Sequence, residues 1–442
     1  MPTTDGLYSA LMRRDPESEA ALPADVRPTV PRNGLRLVAA NALQSSGDQT
    51  VNASTVLPWL FHALGVPGAL AGALVPIRES GSMLPQAFLT PLILRVHQRK
   101  VVFVVGALVQ ALSVAAMAGT AALGRGLAAG LVILTALAVF SLGRCLCSIA
   151  SKDVQGRTMP KGERGQINGL ATTASGLVAI TLGLGVRLLG GEDLDGGQLA
   201  WLLAAGSVLW VLVAVVYTGI REPVDEPSTP TATDEKEQDN WFVQTEALLR
   251  EDRAFRDFVT VRSFLLVSSL SPPFIVSLSV ASGTEGLSGL GGFILASGVA
   301  ALLGGRIFGR LADRSSKRLM TYGAAFASAV LVALVLAVEV LDLDGDSLLA
   351  YTLFVGGYFL VTLMHTGVRI GRKTYVVDMA EGDRRTTYVA VGNSAMGLVL
   401  LLVGAISSVI AGFGAVWALL FLAGLGVLGV VSSSRLPEVE GA

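Results

Sequence analysis

The chain has 442 residues, of which 52% are hydrophobic and 15% are charged. Soluble globular proteins carry about 25% charged residues, so the composition argues against a soluble enzyme. Lys and Arg total 33 against 34 for Asp and Glu, and a net charge of −1 provides no field that would attract nucleic acid. The two cysteines, Cys145 and Cys147, are too close together to support a disulfide framework. These observations leave an integral membrane protein.

The chain begins with a polar segment. Residues 1–33 contain several prolines, acidic residues and four arginines, and they lack the apolar core of a signal peptide. Such a composition buries too little apolar surface to fold alone. We therefore predict a disordered cytosolic tail over 1–33.

Twelve hydrophobic stretches follow, and a membrane-spanning helix needs about 20 mostly apolar residues. In lipid every backbone polar group needs an internal partner, so these stretches must form helices. The sequence therefore predicts an all-α integral membrane protein with twelve transmembrane helices. The predicted spans are 35–63, 67–93, 101–122, 127–150, 166–189, 198–220, 257–281, 288–309, 319–340, 347–369, 386–411 and 413–433.

Basic residues are concentrated on one side of the predicted membrane. The loops after spans 2, 4, 8 and 10 carry sixteen of them, whereas the opposite loops carry Arg125 and Arg187. Cytoplasmic loops are enriched in Lys and Arg, so we predict a multi-pass protein of the cell (inner) membrane with both termini in the cytoplasm. The sixteen are Arg95, Arg99, Lys100, Lys152, Arg157, Lys161, Arg164, Arg310, Arg314, Lys317, Arg318, Arg369, Arg372, Lys373, Arg384 and Arg385.

The second half of the chain repeats the first. Residues 158–164 share a Met, a Gly and an Arg with residues 378–384 at an offset of 220, and the loops after spans 2 and 8 match at an offset of 219. Parallel repeats of this kind are a recurrent transporter design. We predict two pseudo-symmetric six-helix bundles, one at 34–220 and one at 257–433, followed by a cytosolic tail at 434–442.

A cytosolic linker is predicted between the bundles, at 221–256. Its first part is rich in proline and acidic residues, which is typical of a flexible segment. Trp241, Leu248 and Phe255 then recur every seven residues among charges, which gives one apolar stripe on a helix. We predict an amphipathic helix on the inner membrane face. A helix free in solvent is the alternative.

Span 1 carries a polar face. Its members are spaced by four, three, four and three residues, which places them on one side of a helix. A charge inside a membrane is costly, so this face must meet a water-filled cavity or other helices. A polar packing seam between helices is the alternative. The face consists of Asn41, Ser45, Asp48, Asn52 and Thr55, with Gln44 beside it.

Spans 2 and 4 supply further charges within the membrane. Arg78 and Glu79 are adjacent, so they point about 100° apart on a helix. One is expected to face the cavity and the other to pair with a neighbouring helix, with Asp48 and Arg78 as one possible pair. Arg144 can bind a substrate carboxylate or phosphate, or neutralise Asp48 or Glu79. A purely structural charge cluster joining spans 1, 2 and 4 is the alternative.

Spans 7 and 10 offer candidate moving parts. Pro272 and Pro273 are expected to interrupt span 7, because each removes a backbone donor. Arg262, near the start of span 7, is expected to reach toward the cytosolic interface. His365 in span 10 is interpreted as a packing residue, with titration during function as the alternative.

Residues 309–318, with the sequence GRLADRSSKR, resemble the loop signature of the major facilitator superfamily, G-x-L-x-D-R-x-G-R-K/R. The copy after span 2 is weaker, because Leu94 stands at the position of the Asp and His97 at that of the Gly. The resemblance implies the fold of that superfamily, with a cavity lined by spans 1, 4, 7 and 10. It also implies that Asp313 latches the outward-open state. The gating-loop residues would be Asp313, Arg314, Arg318, Arg95 and Arg99.

The sequence contains no Gly-x-Ser-x-Gly, P-loop or His-Glu-x-x-His motif, so we predict neither an enzyme nor use of ATP, a cofactor or a metal. We predict a monomeric secondary active transporter that moves a small polar or anionic metabolite, driven by protons or another coupling ion and surrounded by membrane lipids. Asn41, Gln44, Asp48, Asn52, Arg78 and Arg144 are the predicted substrate-binding residues. Asp48 and Glu79 are the predicted proton-coupling residues. The alternative is a lipid flippase or a pigment- or cofactor-handling assembly factor with the same fold.

Overall fold

The computed structural model describes residues 4–12, 26–86, 96–189, 196–223, 250–283, 287–341, 347–379 and 384–433, and the single positions 14, 19, 20, 22, 24, 89, 93 and 436. Within these ranges it is helical throughout, apart from turns and short connections. Some side chains inside the helices, including those of Asp313 and Arg314, lie outside the described part.

The helices fall on the twelve predicted spans. Span 1 comprises Val30–Thr50 and Val56–Ala63, span 2 begins with Ala71–Met83, and span 7 comprises Arg253–Phe264, Val267–Leu270 and Pro272–Ala281. The other spans are Arg99–Leu123, Gly126–Thr158, Lys161–Leu189, Gly196–Thr218, Leu287–Arg314, Ser316–Leu341, Leu348–Met379, Arg384–Ala411 and Ala415–Ser433. The prediction of an all-α membrane protein is confirmed.

Within the described residues, eight helical segments are long and apolar enough to cross a membrane. They belong to spans 3, 4, 6, 7, 9, 10, 11 and 12, and shorter apolar stretches lie in spans 5 and 8. Spans 1 and 2 are not among them. These two helices carry Asp48, Arg78 and Glu79, so polar character is concentrated in two neighbouring helices of the amino-terminal half.

Spans 2 and 5 join the two halves by packing on spans 11 and 8. At one crossing, a Cβ on Gly404 of span 11 would lie 2.0 Å from the Pro76 ring of span 2, so only glycine allows this approach. The Ser80 hydroxyl of span 2 also donates to the Gly397 carbonyl of span 11 at 2.7 Å. Small residues at helix crossings allow close approach in membranes.

Two spans depart from straight helices. Span 7 is interrupted at Ser271, immediately before Pro272 and Pro273, as predicted. Span 1 was predicted to be continuous, but 51–55 is not helical. The hydroxyls of Ser46 and Thr50 each donate to a backbone carbonyl one turn earlier, at 2.8 Å, and such bonds compete with the helix ladder.

The prediction of a disordered tail over 1–33 is wrong for its first helix. Thr4–Leu11 is helical and packs on span 1, with Tyr8 fully buried and Met12 4% exposed. The Tyr8 hydroxyl donates a hydrogen bond to the Glu163 carboxylate in the first turn of span 5. One aromatic side chain and one hydrogen bond therefore attach a segment whose composition alone predicts disorder.

The linker prediction is wrong for Phe255. This residue lies in the first turn of span 7, where it is fully buried, and Asp252 begins the helix by accepting the Phe255 N–H at 2.9 Å. The helix therefore starts before the predicted linker ends. Trp241 and Leu248, with most of the linker, lie outside the described residues.

Candidate functional site

The predicted polar face of span 1 leads to a charge cluster. Asp48 accepts hydrogen bonds from Arg78 of span 2, at 3.0 Å, and from Arg144 of span 4, at 2.6 Å to each carboxylate oxygen. The predicted Asp48–Arg78 pair is thus confirmed, and Arg144 neutralises the same carboxylate. Two guanidinium groups on one carboxylate leave the cluster with a formal charge of +1.

The cluster remains partly accessible. The side chains of Asp48, Arg78 and Arg144 are 15%, 14% and 30% exposed. Buried ion pairs are costly to form and costly to break, so they are weak evidence of stability by themselves. Here partial exposure lets a solute or a proton reach charges that also join three helices.

Packing of span 1 on span 6 sets the position of Asp48. A Cβ on Gly47 would lie 2.8 Å from the Trp210 indole nitrogen, and Trp210 is fully buried. Phe140 of span 4 meets the Trp210 ring edge-on, with ring centroids 5.6 Å apart. These contacts hold span 1 against spans 4 and 6 directly beside the carboxylate.

Glu79 lies on a different side of span 2 from Arg78. Its carboxylate forms no ion pair with any described residue, but it interacts electrostatically with Arg144 of span 4 and with Arg372 of span 10. Those arginines belong to opposite halves of the molecule. Glu79 therefore faces the space between the two bundles, while Arg78 is the residue that pairs with a neighbouring helix.

The predicted uncharged contacts fall into two groups. Asn41 and Gln44 are half-buried on span 1, and their side chains have no hydrogen-bond partner in the described structure, so both are available to a ligand. Asn52 lies in the non-helical break, where its side-chain oxygen accepts the Ser54 N–H at 2.8 Å. The prediction that Asn52 continues the helix face is wrong, because the face ends where the helix does.

A second charge cluster lies at the end of the molecule that carries the loops after spans 2, 4, 8 and 10, here termed the basic end. Arg99 at the start of span 3 pairs with Asp153 of span 4 at 2.9 Å, and Arg157 approaches the same carboxylate at 3.2 Å. The predicted gating residue Arg99 is therefore tied within the amino-terminal half. Asp153 was missed because its helix was predicted to end at residue 150.

Glu222 completes this second cluster. It follows span 6, and its carboxylate accepts the backbone N–H groups of Arg99, at 3.2 Å, and Lys100, at 2.9 Å. A carboxylate at a helix N-terminus satisfies free donors and complements the helix dipole. Burial raises the pKa of Glu222, while those two N–H groups and Arg157 oppose the shift. Sequence patterns gave no signal for this cap, since it lies 122 residues from Lys100.

The remaining gating residues are less defined. Arg318 is exposed at the start of span 9. Arg95 and the side chains of Asp313 and Arg314 lie outside the described part. The latch that the loop resemblance implies for Asp313 therefore stays a prediction.

The carboxy-terminal half contains buried cationic groups of a different kind. Arg262 of span 7 is 8% exposed, so the prediction that it extends to the interface is wrong. It makes two long hydrogen bonds to span 11, to Gly392 O and Asn393 Oδ1, each 3.4 Å. Arg372 lies within span 10, although the sequence placed it in a loop.

The end opposite the basic end is closed by aromatic contacts between the halves. Trp59 of span 1 lies 6.4 Å from Phe293 of span 8, and Phe293 meets Tyr358 of span 10 edge-on at 5.2 Å. All three side chains are at most 1% exposed. The outer segment of span 1 also packs on Pro272–Ala281 of span 7. In the described residues, no group of three or more His, Cys, Asp or Glu could hold a metal.

Comparisons with known proteins agree with this architecture. The family model described as Major Facilitator Superfamily matches residues 38–363. No curated protein sequence matches the chain significantly. Similar solved structures include a variant of the peptide transporter POT (TM-score 0.69, 12% identity, 95% of this chain and 98% of that one) and a D-xylose-proton symporter (0.69, 13%, 92% and 99%). A variant of the nucleoside transporter NupG is also similar (0.67, 14%, 91% and 99%).

Proposed function

Since the chain belongs to the Major Facilitator Superfamily, we propose that it is a secondary active transporter for a small polar or anionic metabolite, coupled to protons. The observation that carries the proposal is the partly exposed cluster of Asp48, Arg78 and Arg144. Charges within a membrane protein mark a functional site by default. Solved relatives bear names as different as peptide, xylose and nucleoside transporters, so the fold does not select the substrate.

The cluster suggests how a proton and a substrate are coupled. When Asp48 is ionised, it occupies both guanidinium groups. Protonation would remove the charge that holds them, and Arg78 and Arg144 would then be free to bind an anionic or polar group. Asn41 and Gln44 on the same helix would add hydrogen bonds. Glu79 is the second proposed proton carrier, because it faces the space between the bundles.

Transport would proceed by alternating access. The bundles proposed at 34–220 and 257–433 would rock against each other, opening first one end and then the other. Aromatic closure by Trp59, Phe293 and Tyr358 represents one end of this cycle, with the site reached from the basic end. We place that end and both termini in the cytoplasm, and we propose a monomer surrounded by membrane lipids.

The test is uptake into proteoliposomes. The purified chain is screened against a metabolite library by thermal shift, because a ligand of the folded state raises its apparent stability. Each hit is then assayed for uptake with and without an imposed pH gradient. The proposal predicts that the gradient accelerates uptake and that Asp48→Asn abolishes this acceleration.

The matched control is Asp257→Asn. Asp257 lies in the first helix of span 7, where its interaction with the exposed Arg253 is only 3.9 Å and within one helix turn. Its removal should leave uptake unchanged. Gradient-driven uptake by Asp48→Asn at the wild-type rate would contradict the proposal. Stabilisation by lipids or pigments alone would favour the flippase or assembly-factor alternative.

A further inference from the structure

Arg262 and Arg372 bring two guanidinium groups close together in the carboxy-terminal half. They lie on spans 7 and 10, and their charges act on each other. The Nε atom of each is buried and has no hydrogen-bond partner in the structure. Neither side chain forms an ion pair with a described carboxylate within 4.0 Å. Two like charges are thus held together with part of their hydrogen-bonding capacity unused.

His365 extends the same cluster. It lies seven residues before Arg372 on span 10, which places both on one helix face, and its interaction with Arg372 is electrostatic. Its Nδ1 atom is buried without a hydrogen-bond partner. Three nitrogen atoms that can serve as donors therefore remain unsatisfied. Buried unsatisfied polar groups are rare in native proteins and require an explanation.

Glu79 shows which way the cluster faces. Its carboxylate, on span 2, acts on Arg372 in one half and on Arg144 in the other. Arg372 therefore faces the space between the bundles and not the lipid. That same space is where the proposed transport function requires a substrate.

We infer that Arg262, Arg372 and His365 form an anion-binding site for a carboxylate or phosphate group of the transported substrate. The inference rests on the proposed transport function. An anion there would satisfy the free donors and relieve the repulsion between the guanidinium groups. Arg78 and Arg144 are less suited to a resting anion site, because Asp48 already neutralises them. Anion recognition is thus assigned to the carboxy-terminal half and charge switching to the amino-terminal half.

The experiment measures thermal unfolding of the purified full-length chain in a neutral detergent. Sodium phosphate and sodium acetate are titrated separately, each against sodium chloride at equal ionic strength. The site predicts that one of these anions raises Tm in the wild type. Arg262→Gln and Arg372→Gln should each weaken the apparent affinity about tenfold or more, since each removes a charged donor.

Arg369→Gln is the matched control. Arg369 lies one turn before Arg372 on the same helix and is exposed, so this substitution removes the same charge from the surface. It should leave the anion-dependent shift unchanged. If Arg372→Gln does not fold, Arg372→Lys keeps the charge but loses the planar fork, and it should still reduce the affinity. Glu79→Gln should increase the affinity about tenfold, because a repelling carboxylate is removed.

A second arm separates a free anion from a lipid headgroup. The same proteins are placed in nanodiscs of phosphatidylcholine, with or without phosphatidylglycerol. Stabilisation by phosphate or acetate in pure phosphatidylcholine, dependent on Arg372, supports a soluble substrate. Stabilisation only by phosphatidylglycerol would overturn that assignment, as would equal anion shifts in wild type and Arg372→Gln. If those shifts are equal but proton-driven uptake persists, the anion site is wrong and the proposed transport function stands.

Discussion

In the amino-terminal half, Arg78, Arg99 and Arg144 each lie within 3.0 Å of a carboxylate oxygen. In the carboxy-terminal half, Arg262 and Arg372 have no such partner among the described residues. Both halves share the same helical design, so the difference lies in charge compensation. Paired charges join helices and respond to protonation, whereas unpaired buried charges require a counter-ion from outside the chain. The comparison therefore assigns different roles to two related bundles.

Asp48→Ala should produce the largest loss of stability. It leaves Arg78 and Arg144 without their shared carboxylate, and removal of one partner from a buried pair costs about 3–5 kcal/mol. Thermal unfolding in detergent measures the effect. The double variant Asp48→Ala with Arg144→Met should recover part of the loss, because one unpaired charge is removed. A strictly additive double variant would contradict this interpretation of the cluster.

Arg99→Met should have a smaller effect, about 2 kcal/mol, since its partner Asp153 is 33% exposed. The comparison is sharpened by Arg318→Met, at the start of span 9 in the other half. Arg318 is exposed, so its substitution should cost less than about 1 kcal/mol. Denaturation of the two variants side by side decides the matter. Equal losses would mean that the Asp153 pair contributes nothing specific.

Tyr8→Phe should cost about 1 kcal/mol, the usual net contribution of a hydrogen bond. The aromatic ring keeps its buried position, and only the bond to Glu163 is lost. Limited proteolysis should then cleave the Thr4–Leu11 region faster, because the helix detaches more often. Unchanged cleavage would show that packing of Tyr8 alone attaches this segment.

The smallest effect concerns pH. Burial raises the pKa of Glu222 above its ordinary 4.5, so the folded state binds the proton more tightly than the unfolded state. The stability that Glu222 contributes is therefore greatest below pH 4.5 and decreases as pH rises through the raised pKa. Stability of Glu222→Gln relative to wild type should accordingly increase from pH 4 to pH 7. A relative stability that decreases over this range would reverse the assigned sign.

The fold could be predicted because twelve long apolar stretches leave the backbone few alternatives in lipid. Pairing of Asp48 with Arg78 could also be anticipated, since isolated charges in apolar spans need partners. The break at 51–55 could not, because it depends on local hydroxyl bonds that compete with the helix. The cap by Glu222 depends on a contact between distant parts of the chain.

Arg372 shows a different limit of sequence reasoning. It was counted among cytoplasmic loop residues, because positive charge usually marks the end of a span. The helix instead continues to Met379, and part of the Arg372 side chain is buried between the halves. Composition locates charges along the chain, but only packing shows which of them face the space between the bundles.

The most direct test compares Arg144→Met with Arg372→Met by thermal unfolding in chloride buffer, without added phosphate or carboxylate. Both substitutions exchange an arginine for an apolar side chain of similar length. Our account predicts that Arg144→Met lowers Tm by about 2–4 °C, because Asp48 loses a partner, whereas Arg372→Met leaves Tm unchanged or raises it. An equal decrease in both variants would contradict the account, since it would mean that Arg372 is already compensated within the chain.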